Sequence, residues 1–383
     1  MLSESRVPLA WLNLVDNKPR LAASLGGIAF AVVLMFVEMG FSNGLYDSET
    51  LVIELMNADL FIVNPHKEAV VPKLPFPRSR LVQARAVPGV EATYGVYVDE
   101  YRAMWKNARD GKEHPILVFG FDPDEPVFLI PEVLAQSAKL KAQDTVLIDS
   151  RSRGFYGDLG AVGPAELSRH AVHVVGNFPL GPDFRVDGII LVSERTFFRC
   201  LGDPGDAARV EFGLVRVRPG HRPEAVRDAL VRALPDDVSV LTKGELVARV
   251  KDYWANSKPV GAVFGLGTVV GFLIGVTICY QLLYTDIVDH MPQYATLKAM
   301  GYGNGYLTGV VLREAVYLAV LGFLPGLLCS VALYAVLEAA SGILMRLSVY
   351  RVSMVFVLTV LMCAVSGLIA IRKVIDSDPA EVF

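Results

Sequence analysis

Hydrophobic and polar positions are distributed unevenly along the chain. Four windows, 21–41, 260–283, 315–337 and 352–371, are apolar on every face and contain one charged side chain, Glu38. A bilayer core of ~30 Å is crossed by about 20 helical residues rising ~1.5 Å each, and every window is at least that long. The pattern predicts four transmembrane helices. The first window is too long for the apolar part of a signal peptide. Phe41-Ser42-Asn43-Gly44-Leu45 behind it lacks a small-x-small cleavage pattern, so the window reads as a retained anchor.

Residues 45–256 alternate short apolar runs with Pro, Gly and Asp. Leu60–Val63, Ile116–Phe119, Thr145–Ile148, Val172–Val175, Gly188–Val192, Leu214–Val217 and Val238–Leu241 read as strands. A helix is predicted over 223–234, with Pro223 in its first turn. Thr242 and Glu245 have the spacing of a capping box that opens a helix toward Trp254. The proline-rich stretch 64–88 reads as an exposed connector. The order of elements predicts a large α+β domain in two lobes. Ahead of the first window, Val7, Trp11 and Leu14 recur at helical spacing among basic residues, as in a short interfacial helix. The expected division is 1–44, 45–256 and 257–383.

Span 2 carries Gly267, Gly271 and Gly275 at four-residue spacing, a pattern that lets helices approach closely in lipid. Pro325 predicts a kink in span 3. The loop 284–314 between spans 2 and 3 is the one polar connection with an unusual texture. Pro292 can open a short helix there, Lys298 falls in its last turn, and Gly301 supplies a stop. Tyr294, Leu297 and Met300 would give this helix an apolar side, which needs either a protein partner or its own span ends for cover.

Composition agrees with a membrane protein that has a water-facing part: 53% of residues are apolar, 20% are charged and the mean hydropathy is +0.42. Basic residues Arg6, Lys18 and Arg20 precede span 1 and none follows it between 42 and 59, which places both termini in the cytoplasm and residues 45–256 outside. A net charge of −4 points away from nucleic acid. Of four cysteines only Cys200 lies in the water-facing part, so no disulfide forms within it.

The motifs of several chemistries are missing. There is no G-x-x-x-x-G-K-[ST] to cradle ATP phosphates, no H-E-x-x-H and no C-x-x-C. His170 and His173 lie three apart in strand-like sequence, on opposite faces, so no metal site is expected. Asp122-Pro123-Asp124-Glu125 reads as an exposed turn. No catalytic residue is assigned. Glu38, the one intramembrane acid, is a functional candidate by default. The alternative is snorkelling to the interface or a satisfied contact with span 2. With no basic or imidazole partner in the other spans it forms no proton relay.

The layout resembles the FtsX/MacB class of ABC-transporter permeases, and within it the DevC subgroup that serves envelope glycolipid export. The likeness runs through Pro8-Leu9-Ala10-Trp11-Leu12, Ala58-Asp59-Leu60, Phe119-Gly120-Phe121-Asp122-Pro123-Asp124 and Val240-Leu241-Thr242-Lys243 to Asp378–Phe383, and is strongest over Tyr284–Tyr302. It implies a permease in the inner membrane that acts as a homodimer, with ATP and Mg bound by a separate ABC ATPase subunit, so that the chain needs no cofactor and is not itself an enzyme. The loop between spans 2 and 3 would dock on that ATPase through Leu297, Lys298, Ala299, Met300, Gly301 and Tyr302. Met291–Ala295 replaces the charged R-E-I-G part common in the class. The outer domain would meet a periplasmic membrane-fusion adaptor and a TolC-type outer-membrane channel, exporting an amphiphile by transmitted force. The same architecture also serves regulators of envelope hydrolases and lipoprotein-releasing permeases.

Overall fold

The computed structural model describes residues 9–71, 73–107, 111–183, 185–202, 206–257, 259–341, 345 and 347–376. Arg6, Val7 and Pro8 and the closing 378–383 fall outside the described residues. The chain divides into two compact units: Met1–Asn43 with Gly261–Leu337 and Met345–Phe383, and Gly44–Val260 with Glu338–Leu344.

The first unit is helical. A short helix, Leu9–Asp16, precedes span 1 (Lys18–Leu55), span 2 (Pro259–Asp289), span 3 (Asn304–Ser341) and span 4 (Val349–Asp376), with a further helix over Met291–Ala299. All four spans are long and apolar enough to cross a membrane. Their inner faces close a cluster that includes Met35, Phe36, Phe323 and Met362. Large apolar side chains such as Val263, Leu266, Val270 and Leu273 stay exposed along span 2, a cost in water that lipid removes. Span 3 continues as helix through Pro325. At ~1.5 Å per residue the 38 residues of span 1 reach well beyond a bilayer core, and the helix passes into the second unit at Gly44.

The second unit is built on a mixed sheet. Its strands are β1 (Leu60–Val63), β2 (Phe76–Pro77), β3 (Val90–Asp99), β4 (Met104–Lys106), β5 (Glu113–Pro115), β6 (Leu117–Phe121), β7 (Thr145–Asp149), β8 (Gly163–Leu167), β9 (His170–Phe178), β10 (Ile189–Ser193), β11 (Arg209–Val210), β12 (Phe212–Val217) and β13 (Ser239–Thr242). Eleven of them pair in the order β13-β1-β12-β3-β6-β10-β7-β9-β8-β4-β5. Pairs β6–β10 and β7–β9 are parallel and the others antiparallel. The sheet is continuous through β3, which pairs with β12 over 90–96 and with β6 over 97–99, and Gly44–Val260 falls in one compact unit in place of the two expected lobes. The protein is thus an α-helical membrane protein of four spans with a large α+β domain inserted between the first and second.

The stretch 64–88 is not an exposed connector. Lys67, Ala69, Val70, Val71 and Phe76 are buried, and a helix over Ser79–Arg85 buries Leu81 and Ala84. The segment is pinned by Lys67, whose ammonium meets Glu211 at 3.0 Å with both side chains out of solvent, while the Leu74 N–H donates to the same oxygen at 2.8 Å. Burial lowers the Lys67 pKa, and Glu211 opposes that shift. Prolines there interrupt hydrogen-bonded ladders without preventing burial. The capping box forms as the spacing requires: Glu245 N–H donates to Thr242 Oγ1 at 3.2 Å, and Thr242 N–H to Glu245 Oε2 at 2.8 Å. In the same turn the Lys243 ammonium donates to the carbonyls of Glu54 and Met56, satisfying the end of the span 1 helix.

Candidate functional site

The loop between spans 2 and 3 folds into a helix whose ends are set by local chemistry. Pro292 occupies its first turn, where a missing N–H costs nothing. At the other end Gly301 N–H donates to Lys298 O at 3.0 Å and Tyr302 N–H to Leu297 O at 3.1 Å. Those two bonds are the crossed pair of a Schellman motif, with Gly301 in the left-handed region at φ +93°. Leu297 to Tyr302 is therefore one rigid turn.

Its faces are unequal. Tyr294 is buried in the span cluster, Leu297 packs against its edge, and Ala295 is also buried. Of the apolar side made by Tyr294, Leu297 and Met300, Tyr294 therefore takes its cover from the chain's own span ends, because the helix turns that ring onto them. Met300, at 63% exposure, and Tyr302 point outward. Tyr302 stacks on Tyr306 with ring centroids 4.7 Å apart. Ala299 and Gly301 are exposed and Lys298 is half-buried. The outward surface is thus Met300, Tyr302 and Tyr306 around a backbone turn.

Beneath the helix lies an ionic cluster that sequence reasoning missed. Arg20 at the start of span 1 bonds Asp289, and its Nε lies 3.5 Å from Asp286 Oδ1. His290 Nδ1 contacts the Asp286 carbonyl at 2.9 Å. Glu314 of span 3 is fully buried with its carboxyl facing Asp286, and neither of its oxygens has a hydrogen-bond donor among the described residues. The Tyr294 hydroxyl sits beside Asn13 and Glu314 without an aligned bond. Burial raises the Tyr294 phenol above its ordinary value. Removing one partner from such a group is costly, since the remainder stays buried and uncompensated. The cluster holds the helix between the starts of spans 1 and 3 and the end of span 2. Glu314 escaped notice because the apolar window begins one residue after it; its signal was an acid abutting an uncharged run.

Gly267, Gly271 and Gly275 line the seam between spans 2 and 1. A Cβ on Gly267 would collide with the Glu38 carboxylate, one on Gly271 would lie 3.9 Å from Met35 Cγ, and one on Gly275 would meet Met362 and, at 3.1 Å, Ala31 Cβ. Glu38 is half-buried and lies over Gly267, so the missing side chain makes room for the acid. Span 3 faces span 1 in the same manner through Gly322 and Gly326, against Ile28 and Val32.

Neither group contains a nucleophile beside a base. Among the described residues no cluster of three His, Cys, Asp or Glu side chains is placed to hold a metal. Burial, with Asp144 nearby, pushes the Cys200 thiol up to about 11, so it is a packing residue. Asp122 forms a local turn, with the Asp124 N–H donating to Asp122 Oδ1 at 3.0 Å.

No curated protein sequence gives a significant match. Among solved structures, the periplasmic region of MacB from Actinobacillus actinomycetemcomitans is similar at 7% identity, covering 52% of this chain and 94% of that one, with a TM-score of 0.37. The extracellular domain of the noncanonic ABC-type transporter YknZ from Gram-positive bacteria is similar at 11% identity over 48% of this chain and 99% of that one, with a TM-score of 0.33. The stretch that holds spans 2 to 4 and the capped turn between them, residues 263–379, matches the FtsX-like permease C-terminal family.

Proposed function

We propose that this chain is the permease and mechanotransmission subunit of a tripartite ABC exporter, driving outward export of an amphiphile such as a glycolipid. A separate ABC ATPase subunit binds ATP and Mg and hydrolyses the nucleotide; this chain is not an enzyme and carries no cofactor of its own. The observation that carries the reading is the FtsX-like match over 263–379, which includes the capped turn with its outward Met300 and Tyr302. On this reading the turn docks on the ATPase, both termini are cytoplasmic and the membrane is the inner membrane. The sheet domain faces the periplasm, where it meets a membrane-fusion adaptor and through it a TolC-type channel, and two copies form the working dimer.

A helix held at its root by ionic contacts and by the buried Tyr294 is suited to carry force, because a push at its tip moves the span ends and is not absorbed locally. The test is co-purification of the chain with its ATPase before and after Met300→Asp. Met300 is mostly exposed, so the substitution leaves packing intact. Association is expected to weaken at least about tenfold, or roughly 1.4 kcal/mol. Leu297→Asp is a harsher variant, since Leu297 also packs on the span cluster. Unchanged association and unchanged ATP turnover in Met300→Asp would place docking elsewhere.

A further inference from the structure

Within the sheet unit, one guanidinium gathers the two chain segments that continue into spans 1 and 2. Arg185 Nε lies 3.3 Å from Glu49 Oε1, on the helix that enters from span 1, and its Nη2 lies 3.4 Å from Glu100 Oε2, at the exit of β3. The Glu49 side chain is almost fully buried. The same guanidinium sits over the Trp254 ring, 5.7 Å from its centroid. Trp254 belongs to the π-helical turn Tyr253–Ser257 that precedes span 2.

The backbone carrying Arg185 is itself fixed. Asp183 Oδ1 accepts the Arg185 N–H at 2.8 Å and the Val186 N–H at 2.6 Å. A second bridge joins the same two segments, from Lys251 to Asp47 at 3.3 Å. π-turns cost hydrogen-bond geometry and persist mainly at functional positions. This one lies where the chain passes from the helix Lys243–Asp252 toward span 2. A guanidinium can donate a hydrogen bond to one carboxylate, pair with a second and lie over an indole at once, which a compact ammonium does less well.

We propose that Arg185 is a positioning residue that clasps the entering helix at Glu49 and the π-turn at Trp254 to the edge of β3, so that displacement of spans 1 and 2 reaches the sheet as one motion. The second half of this statement rests on the permease reading above; the clasp itself does not. Three carboxylates around one guanidinium would otherwise be a poor choice for stability alone, since partly compensated buried charge is expensive. The cost becomes intelligible if the arrangement must be specific.

The experiment uses the full chain with its ATPase partner in sealed proteoliposomes, with a fluorescent glycolipid as the export probe, as wild type, R185Q, R185K and E100Q. Amide hydrogen exchange over 44–55 and 250–257 reads the clasp, and export per ATP hydrolysed reads the coupling. In R185Q, exchange is expected to rise about tenfold in both segments and not in β6 or β10. Export per ATP is expected to fall while ATP turnover is retained. R185K should recover little of either, and E100Q should give the same pattern in weaker form if R185Q does not fold. Unchanged exchange in R185Q, or in E100Q where that variant must stand in, overturns the clasp. Raised exchange with undiminished export per ATP overturns the coupling role alone. Wild-type protein that neither binds an ATPase nor exports would instead sink the permease reading, with the exchange data still deciding the clasp.

Discussion

The glycine seams offer a graded test of how the spans are packed, because each substitution to alanine carries the same local gain and a different steric cost. Replacing a helical glycine by alanine favours the helix by about 1 kcal/mol. Overfilling a packed contact costs typically ~1–3 kcal/mol. At Gly271 the nearest atoms to a new Cβ would be Met35 Cγ at 3.9 Å and Leu34 Cβ at 4.0 Å, ordinary contact distances. Gly271→Ala should therefore be neutral or stabilising by up to about 1 kcal/mol. At Gly326 the new Cβ would fall 2.7 Å from Val32 Cβ and 3.1 Å from the Ala29 carbonyl oxygen. Neither atom can swing aside, so span 1 or span 3 must shift, and a net loss of roughly 1–2 kcal/mol is expected. Gly275→Ala should fall between them: Met362 is flexible and can withdraw, but Ala31 Cβ at 3.1 Å must also give. Thermal unfolding of the purified chain in one detergent, followed by far-ultraviolet circular dichroism, gives the ranking. If Gly326→Ala unfolds at or above the wild-type temperature, or Gly271→Ala is the most damaged of the three, the packing described between spans 1, 2 and 3 is wrong.

Two further predictions concern the sheet domain. Lys67→Met leaves the buried Glu211 carboxylate without its cation and should cost about 3–5 kcal/mol, whereas Lys67→Met with Glu211→Leu should recover most of that loss, as read by domain unfolding in denaturant; a single-mutant loss under about 1 kcal/mol would contradict the buried pair. Burial and the neighbouring Asp122 push Glu125 up to about 7, above its ordinary 4.5. A carboxyl raised in the folded state stabilises fully below its unfolded pKa, so this contribution should fade as pH rises from about 4.5 through 7. Glu125→Gln should remove that slope from the unfolding temperature measured between pH 5 and 8, and an unaltered slope would refute the assignment.

Features set by near neighbours in the chain were legible without coordinates. Long uncharged windows specify spans because helix and lipid impose a length and a polarity that no distant residue can change. The capping box at Thr242–Glu245 and the stop at Gly301 are likewise local, each depending on residues within one turn. The tertiary structure decided the rest. Strand β3 is diluted by Glu91, Thr93 and Gly95, and it becomes a strand because β12 and β6 pair with it on either side. The stretch 64–88 is drawn inward by Glu211, more than a hundred residues away. Tyr294 faces the spans because Asp286, Glu314 and Arg20 meet beneath it, and no periodicity in a nine-residue helix foretells that meeting. Arg185, Glu49, Glu100 and Trp254 come from four separate stretches of chain. Patterns of short period are written in sequence, but contacts between charges buried far apart along the chain exist only once the backbone has closed around them.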